Sequence, residues 1–156
     1  MDDWGELIKR LLLALASGGA IGWNRGLAGK PAGMRTHMLI SLGGALFVMT
    51  AATHGDVESE SRAIQGVAAG VGFLGAGEII QRTVHGTVVP KNLTSAAAIW
   101  VAAGVGVVAG AGLWKLLVSA TILTLVTLVV VQKFERQAIA LRRGEKPEGG
   151  GSGEAT

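Results

Sequence analysis

The chain has no cysteine, so neither disulfide nor thiolate chemistry is open to it. Charge is also scarce. Only 16% of the 156 residues are Asp, Glu, Lys or Arg, against 49% that are hydrophobic. There is no Walker-type phosphate loop, no GxSxG elbow and no nucleophile–base set, which argues against an ATPase or hydrolase. The pI of about 9.7 does not come with a basic patch interleaved with aromatics, so nucleic acid is not an expected partner. His37, His54 and His85 lack paired spacing, and magnesium prefers carboxylates and water. Glu78 alone is left as a weak metal candidate, and no cofactor is expected.

What the chain has is long apolar runs. The charges cluster at 2–10, 24–37, 54–62, 81–91 and 132–148. Between them lie five segments, roughly 7–23, 37–53, 63–80, 93–112 and 115–132. Each is close to the ~20 residues a helix needs to cross a bilayer, and none alternates with the period of a strand. In lipid a helix satisfies its own backbone polar groups, which an open sheet does not. The expected fold is therefore all-α, a polytopic membrane protein with about five transmembrane helices. Residues 1–133 form the membrane domain, 134–143 an interfacial amphipathic helix, and the Gly-rich 144–156 a disordered tail.

Loop charge sets the orientation. The 24–36 loop has Arg25, Lys30 and Arg35 and no acid, and the 81–91 loop has Arg82 and Lys91 and no acid. The 54–62 loop carries Asp56, Glu58 and Glu60 against Arg62. Basic loops stay in the cytoplasm, which puts the N-terminus outside and the C-terminus inside. Lys9 and Arg10 are expected to snorkel to the headgroups from the first helix. Trp114 and Lys115 are expected at the outer interface.

The third segment contains "GVAAGVGFLGAGEIIQR". On a helical wheel Gly66, Gly70 and Gly77 fall within about 40° of each other, with Gly72 and Gly75 opposite. Small residues let helices approach closely in lipid, so this helix is expected between two neighbours. Thr94, Ala98, Ala102 and Gly106 recur at i, i+4 and form a matching stripe on the fourth helix. The two stripes are expected to pack together, in which case Leu at Gly70 or Ala98 would disrupt the fold.

Four stretches carry a family resemblance: "RLLLALASGGAIGWNRG" (10–26), "KPAGMRTHMLISLGGALF" (30–47), "SRAIQGVAAGVGFLGAGEI" (61–79) and "NLTSAAAIWVAAGVGVVAG" (92–110). Together they resemble the MgtC/SapB membrane proteins over about residues 7–130. The resemblance implies a bacterial inner-membrane protein linked to growth under magnesium limitation and to survival inside macrophages. It also implies action through contact with other membrane proteins. The chain departs from the family pattern twice. Asn24 stands before Arg25 where the family carries an acid, and Glu78 follows "GFLGAG" where the family carries a small or aliphatic residue. Many relatives add a soluble C-terminal domain, where this chain carries a short tail.

Topology places Arg25, Lys30, Arg35, Thr36, His37, Glu78, Asn92 and Thr94 near one membrane face, as a candidate polar cluster. Asn92 or Thr94 is expected to cap the fourth helix, and Arg35 to find Glu78 or a helix carbonyl end. Glu78 has two readings: pairing with Arg82 at i+4, or a cation site at the inner mouth. Mid-span polar groups are few, which favours helix-mediated contact with itself (a homodimer) or with another membrane complex. A carrier or channel for magnesium, another ion or a small solute is the alternative.

Overall fold

Asp3 and Asp56 each precede a run of helix formers, and each caps a helix. Gly5 donates its amide to Asp3 Oδ1 at 2.8 Å, and Ser59 donates its amide to Asp56 Oδ1 at 2.6 Å. The computed structural model describes residues 3–84, 87–134 and 137. Among these residues are the helices α1 (Trp4–Leu27), α2 (Met34–Ala52), α3 (Val57–Glu78), α4 (Leu93–Gly110) and α5 (Trp114–Val126). The five apolar segments fall on them in order. Two stretches, Leu93–Gly110 and Trp114–Phe134, are long and apolar enough by themselves to cross a membrane.

The all-α expectation needs one correction. Helix α3 stops at Glu78, and an antiparallel pair follows, β1 (Ile80–Val84) with β2 (Thr87–Lys91). Its register runs from Ile80 opposite Lys91 to Val84 opposite Thr87. The stretch is rich in β-branched residues and holds Pro90, which favour strand over helix. Arg82 therefore stands on a strand and not one helical turn beyond Glu78.

Chain direction alternates from α1 to α4. The first turns of α1 lie beside the end of α4, where Arg10 Nη1 donates to the Gly110 carbonyl at 2.9 Å. Arg10 thus closes a helix C-terminus, where a cation is favoured, instead of only reaching for headgroups. Its Nε also pairs with Glu6 at 3.0 Å, and Lys9 sits 4.6 Å above the Trp114 ring. The last turn of α1 meets α2 and α4 at the opposite end.

The core lies where α1, α2 and α4 converge, built from Ala14, Ile21, Ala45, Val48, Ala102 and Val105. Backbones meet directly there. A Cβ on Gly18 would stand 2.5 Å from the His37 carbonyl oxygen, and one on Gly106 would overlap the Ser41 backbone. Only glycine fits at such a crossing. Ser41 turns its hydroxyl to the Ala14 carbonyl at 2.7 Å, so its polarity is used within the seam.

The expected α3–α4 seam is thereby redrawn. On α4, Ala98, Ala102 and Gly106 are buried, but Gly106 lies on α2, and Thr94 is exposed. On α3, Gly75 faces Ala96 of α4, with 3.6 Å from an added Cβ to the Ala96 oxygen. Gly66, Gly70, Gly72 and Gly77 are exposed, with nothing within 4 Å of an added Cβ. A wheel shows which residues share a face, and not which helix covers it; here Gly106 of the α4 stripe lies against α2.

Beyond Leu125 the chain belongs to a second compact unit. In it Thr127–Val131 is π-helical, with Leu128 buried. The expected interfacial helix at 134–143 and tail at 144–156 lie outside the described residues, apart from Phe134 and Gln137.

Two outcomes follow. Gly106→Ala should lower stability in detergent by about 1–3 kcal/mol, as overpacking does, while Gly70→Leu should cost far less; chemical unfolding of both variants measures this. The second concerns Asp56. Hydrogen bonds from the Ser59 hydroxyl and amide hold its carboxyl below the usual range. A lowered folded-state value stabilises the cap above the unfolded value and loses that stabilisation as pH falls through the folded one. The start of α3 should therefore stay ordered at neutral pH and fray only below about pH 4, read from the Asp56 carboxyl carbon shift.

Candidate functional site

Arg25 lies on the glycine face of α1, three residues after Gly22 and seven after Gly18. That spacing carries it inward with the seam. It is 2% exposed, the largest of the fully buried side chains among the described residues. Its Nη2 donates to Ser95 Oγ at 2.7 Å, joining the end of α1 to the first turn of α4. A guanidinium this deep needs partners on several sides.

His37, in the first turn of α2, is fully buried. Its Nδ1 lies 2.9 Å from the Gly33 carbonyl. A carbonyl only accepts, so the neutral ring carries its proton on Nδ1 and leaves Nε2 as an acceptor. Glu78, the last residue of α3, is half-buried. Its charge acts on both the Arg25 guanidinium and the His37 ring. Arg25 Nε, His37 Nε2 and Glu78 Oε1 are buried and have no hydrogen-bond partner among the described residues. The three helices thus bring one donor, one acceptor and one carboxylate oxygen into the same polar neighbourhood, and α4 adds Ser95.

Other expected members stand around this centre. Arg35 and Thr36 are exposed and line a cleft of about 770 Å³ together with Glu78. Lys30 is half-buried and its amide donates to the Arg25 carbonyl at 3.1 Å, finishing α1. Asn92 occupies the N-cap position of α4 in a left-handed conformation (φ 65°) without a side-chain cap. Its Nδ2 instead donates to the Glu78 carbonyl at 3.4 Å, tying the end of α3 to the start of α4. Thr94 is exposed, away from the buried centre.

Arg35 is not the partner of Glu78. Among the described residues the ion pairs are Lys9–Glu6, Arg10–Glu6 and Arg62–Glu58. The charge of Glu78 acts instead on the buried Arg25. No group of three or more His, Cys, Asp or Glu fit to hold a metal occurs among the described residues. Ser95 went unrecognised as the partner of Arg25. The i, i+4, i+7 pattern of Gly18, Gly22 and Arg25 was the available signal.

A family model described as the MgtC family matches residues 11–137. The chain belongs to the MgtC family. The resemblance read from its four motifs is borne out. Protein SrpB of Synechococcus elongatus is 47% identical over 146 residues, covering 87% of this chain and 80% of that protein. YhiD of Escherichia coli K12, described as a candidate magnesium transporter, is 44% identical over 134 residues. Protein MgtC of Salmonella typhimurium LT2 is 33% identical over 126 residues. The chain spans 60% of YhiD and 52% of that MgtC. No solved structure matches.

Ser95→Ala strips the buried guanidinium of its hydroxyl partner and should cost about 1.5–3 kcal/mol, the range for a hydrogen bond to a charged group. A double-mutant cycle of Arg25→Met with Glu78→Gln should show coupling of about 1 kcal/mol or more, and Arg35→Ala with Glu78→Gln little. Unfolding in micelles reads both.

Proposed function

We propose that this chain is a multi-pass bacterial inner-membrane protein, tied to magnesium homeostasis, that acts by helix-to-helix contact and not by carriage or catalysis. Family membership and the names of its relatives support the magnesium link and the membrane setting. Five helices crossing the bilayer, with the N-terminus outside and the C-terminus inside, agree with the loop charges, so the Arg25 end faces the cytoplasm.

One observation carries contact over carriage. The α1–α2–α4 core is sealed by backbone crossings at Gly18 and Gly106. Two of its interior hydroxyls are spent on backbone carbonyls, Ser17 on Leu13 and Ser41 on Ala14, both at 2.7 Å, and a third, Ser95, accepts from Arg25. A carrier needs polar groups left free near mid-membrane. Helix α5 supplies a surface for contact: only Leu117 of its residues is buried, while Leu116, Val118 and Ile122 are exposed. A second copy of the chain is the first partner proposed, and another membrane complex the next.

The chain lacks cysteine, so a single cysteine at Ile122 gives a clean probe. In liposomes, Ile122→Cys should cross-link between protomers, and magnesium flux should equal that of empty vesicles. Flux that scales with protein and is lost in Glu78→Gln would overturn the contact reading.

A further inference from the structure

The face between α2 and α3 is grooved. The cleft of about 770 Å³ holding Arg35, Thr36 and Glu78 runs into a second of about 490 Å³ lined by Gly43, Gly66 and Gly70. Leu39, Ile40 and Leu74 line both, so a polar mouth and an apolar groove form one surface. From Arg35 to Phe47 the groove follows α2 for about 18 Å at ~1.5 Å per residue. One leaflet of hydrocarbon is about 15 Å, half of the ~30 Å core.

The mouth carries both signs. Arg35 and Thr36 are exposed, and Arg35 makes no ion pair among the described residues. They sit in the first turn of α2, which starts after Gly33 with no side-chain cap and no acid. First-turn amides of that kind want an acceptor, and a phosphate supplies it. Across the mouth stands Glu78, half-buried, a carboxylate that lines the cleft and makes no ion pair among the described residues. A primary ammonium supplies the donors a carboxylate wants. At the other end of α2 and α3, the cleft lined by Thr50, His54 and Arg62 has no such pair, because Arg62 is held by Glu58 at 2.7 Å.

We propose that this groove seats one aminophospholipid of the ethanolamine type. Its phosphate lies at Arg35, Thr36 and the start of α2, and its ammonium at Glu78. One acyl chain lies along Gly66 and Gly70, where an added Cβ meets nothing within 4 Å. The inference rests on the reading that the chain lies in a bilayer, and it requires neither self-association nor the absence of flux.

The test is native mass spectrometry of the full chain released from nanodiscs containing equal phosphatidylethanolamine, phosphatidylglycerol and phosphatidylcholine. One phosphatidylethanolamine per protomer should survive delipidation. Glu78→Gln should lower its retention about tenfold relative to phosphatidylglycerol, the equivalent of losing one charged contact. Arg35→Ala should weaken both lipids, and Gly70→Leu should expel lipid while circular dichroism stays unchanged. Equal retention of the three lipids, or no change in Glu78→Gln, would sink the proposal. So would cross-linking between protomers through Gly66→Cys, which would make the groove a helix seat. Flux in the liposome assay would leave these outcomes standing.

Discussion

Helices in a bilayer gain little from hiding apolar side chains from each other, because lipid tails are just as apolar. What holds α1, α2 and α4 together is close backbone approach, concentrated where Gly18 and Gly106 meet the α2 backbone. Dispersion contacts over such crossings are individually small and collectively large. The rest of the molecule follows from that seam. It fixes which faces turn inward and carries Arg25 into the core at one end of the helices.

The Arg25 centre is a consequence of the same seam. A residue three positions after a crossing glycine has to follow its helix face inward, even when it is an arginine. Ser95 and the nearby Glu78 make that burial tolerable, the first by a 2.7 Å hydrogen bond and the second by charge. Three polar atoms are still left without partners among the described residues, which is unusual for groups this buried. Buried ionisable groups in membrane helices are places where function concentrates.

The outer helices obey looser rules. Helix α3 touches α4 at Gly75 and otherwise keeps its glycines open, and α5 buries only Leu117. In water such exposure would be a liability. In lipid it costs little and leaves surfaces free for a partner helix or a lipid. The core is tight and the periphery available, a division suited to a protein that works through what it touches.

The sequence by itself determined the helical class, the order of the five segments and the family, because hydropathy, charge placement and ordered motifs are local properties. It also placed Arg25, His37 and Glu78 near one membrane face, through chain alternation alone. It did not say which of the basic residues would be buried, and Arg35 looked the better partner for Glu78. It did not foresee the strands Ile80–Val84 and Thr87–Lys91, since Arg82 and Lys91 mark that stretch as a charged loop between apolar runs. Only the tertiary structure decided that Gly106 of the α4 stripe meets α2, that Gly66 and Gly70 line an open groove, and that Arg25 donates to Ser95. Those outcomes depend on which helix covers a given face, and a helical period carries no record of that.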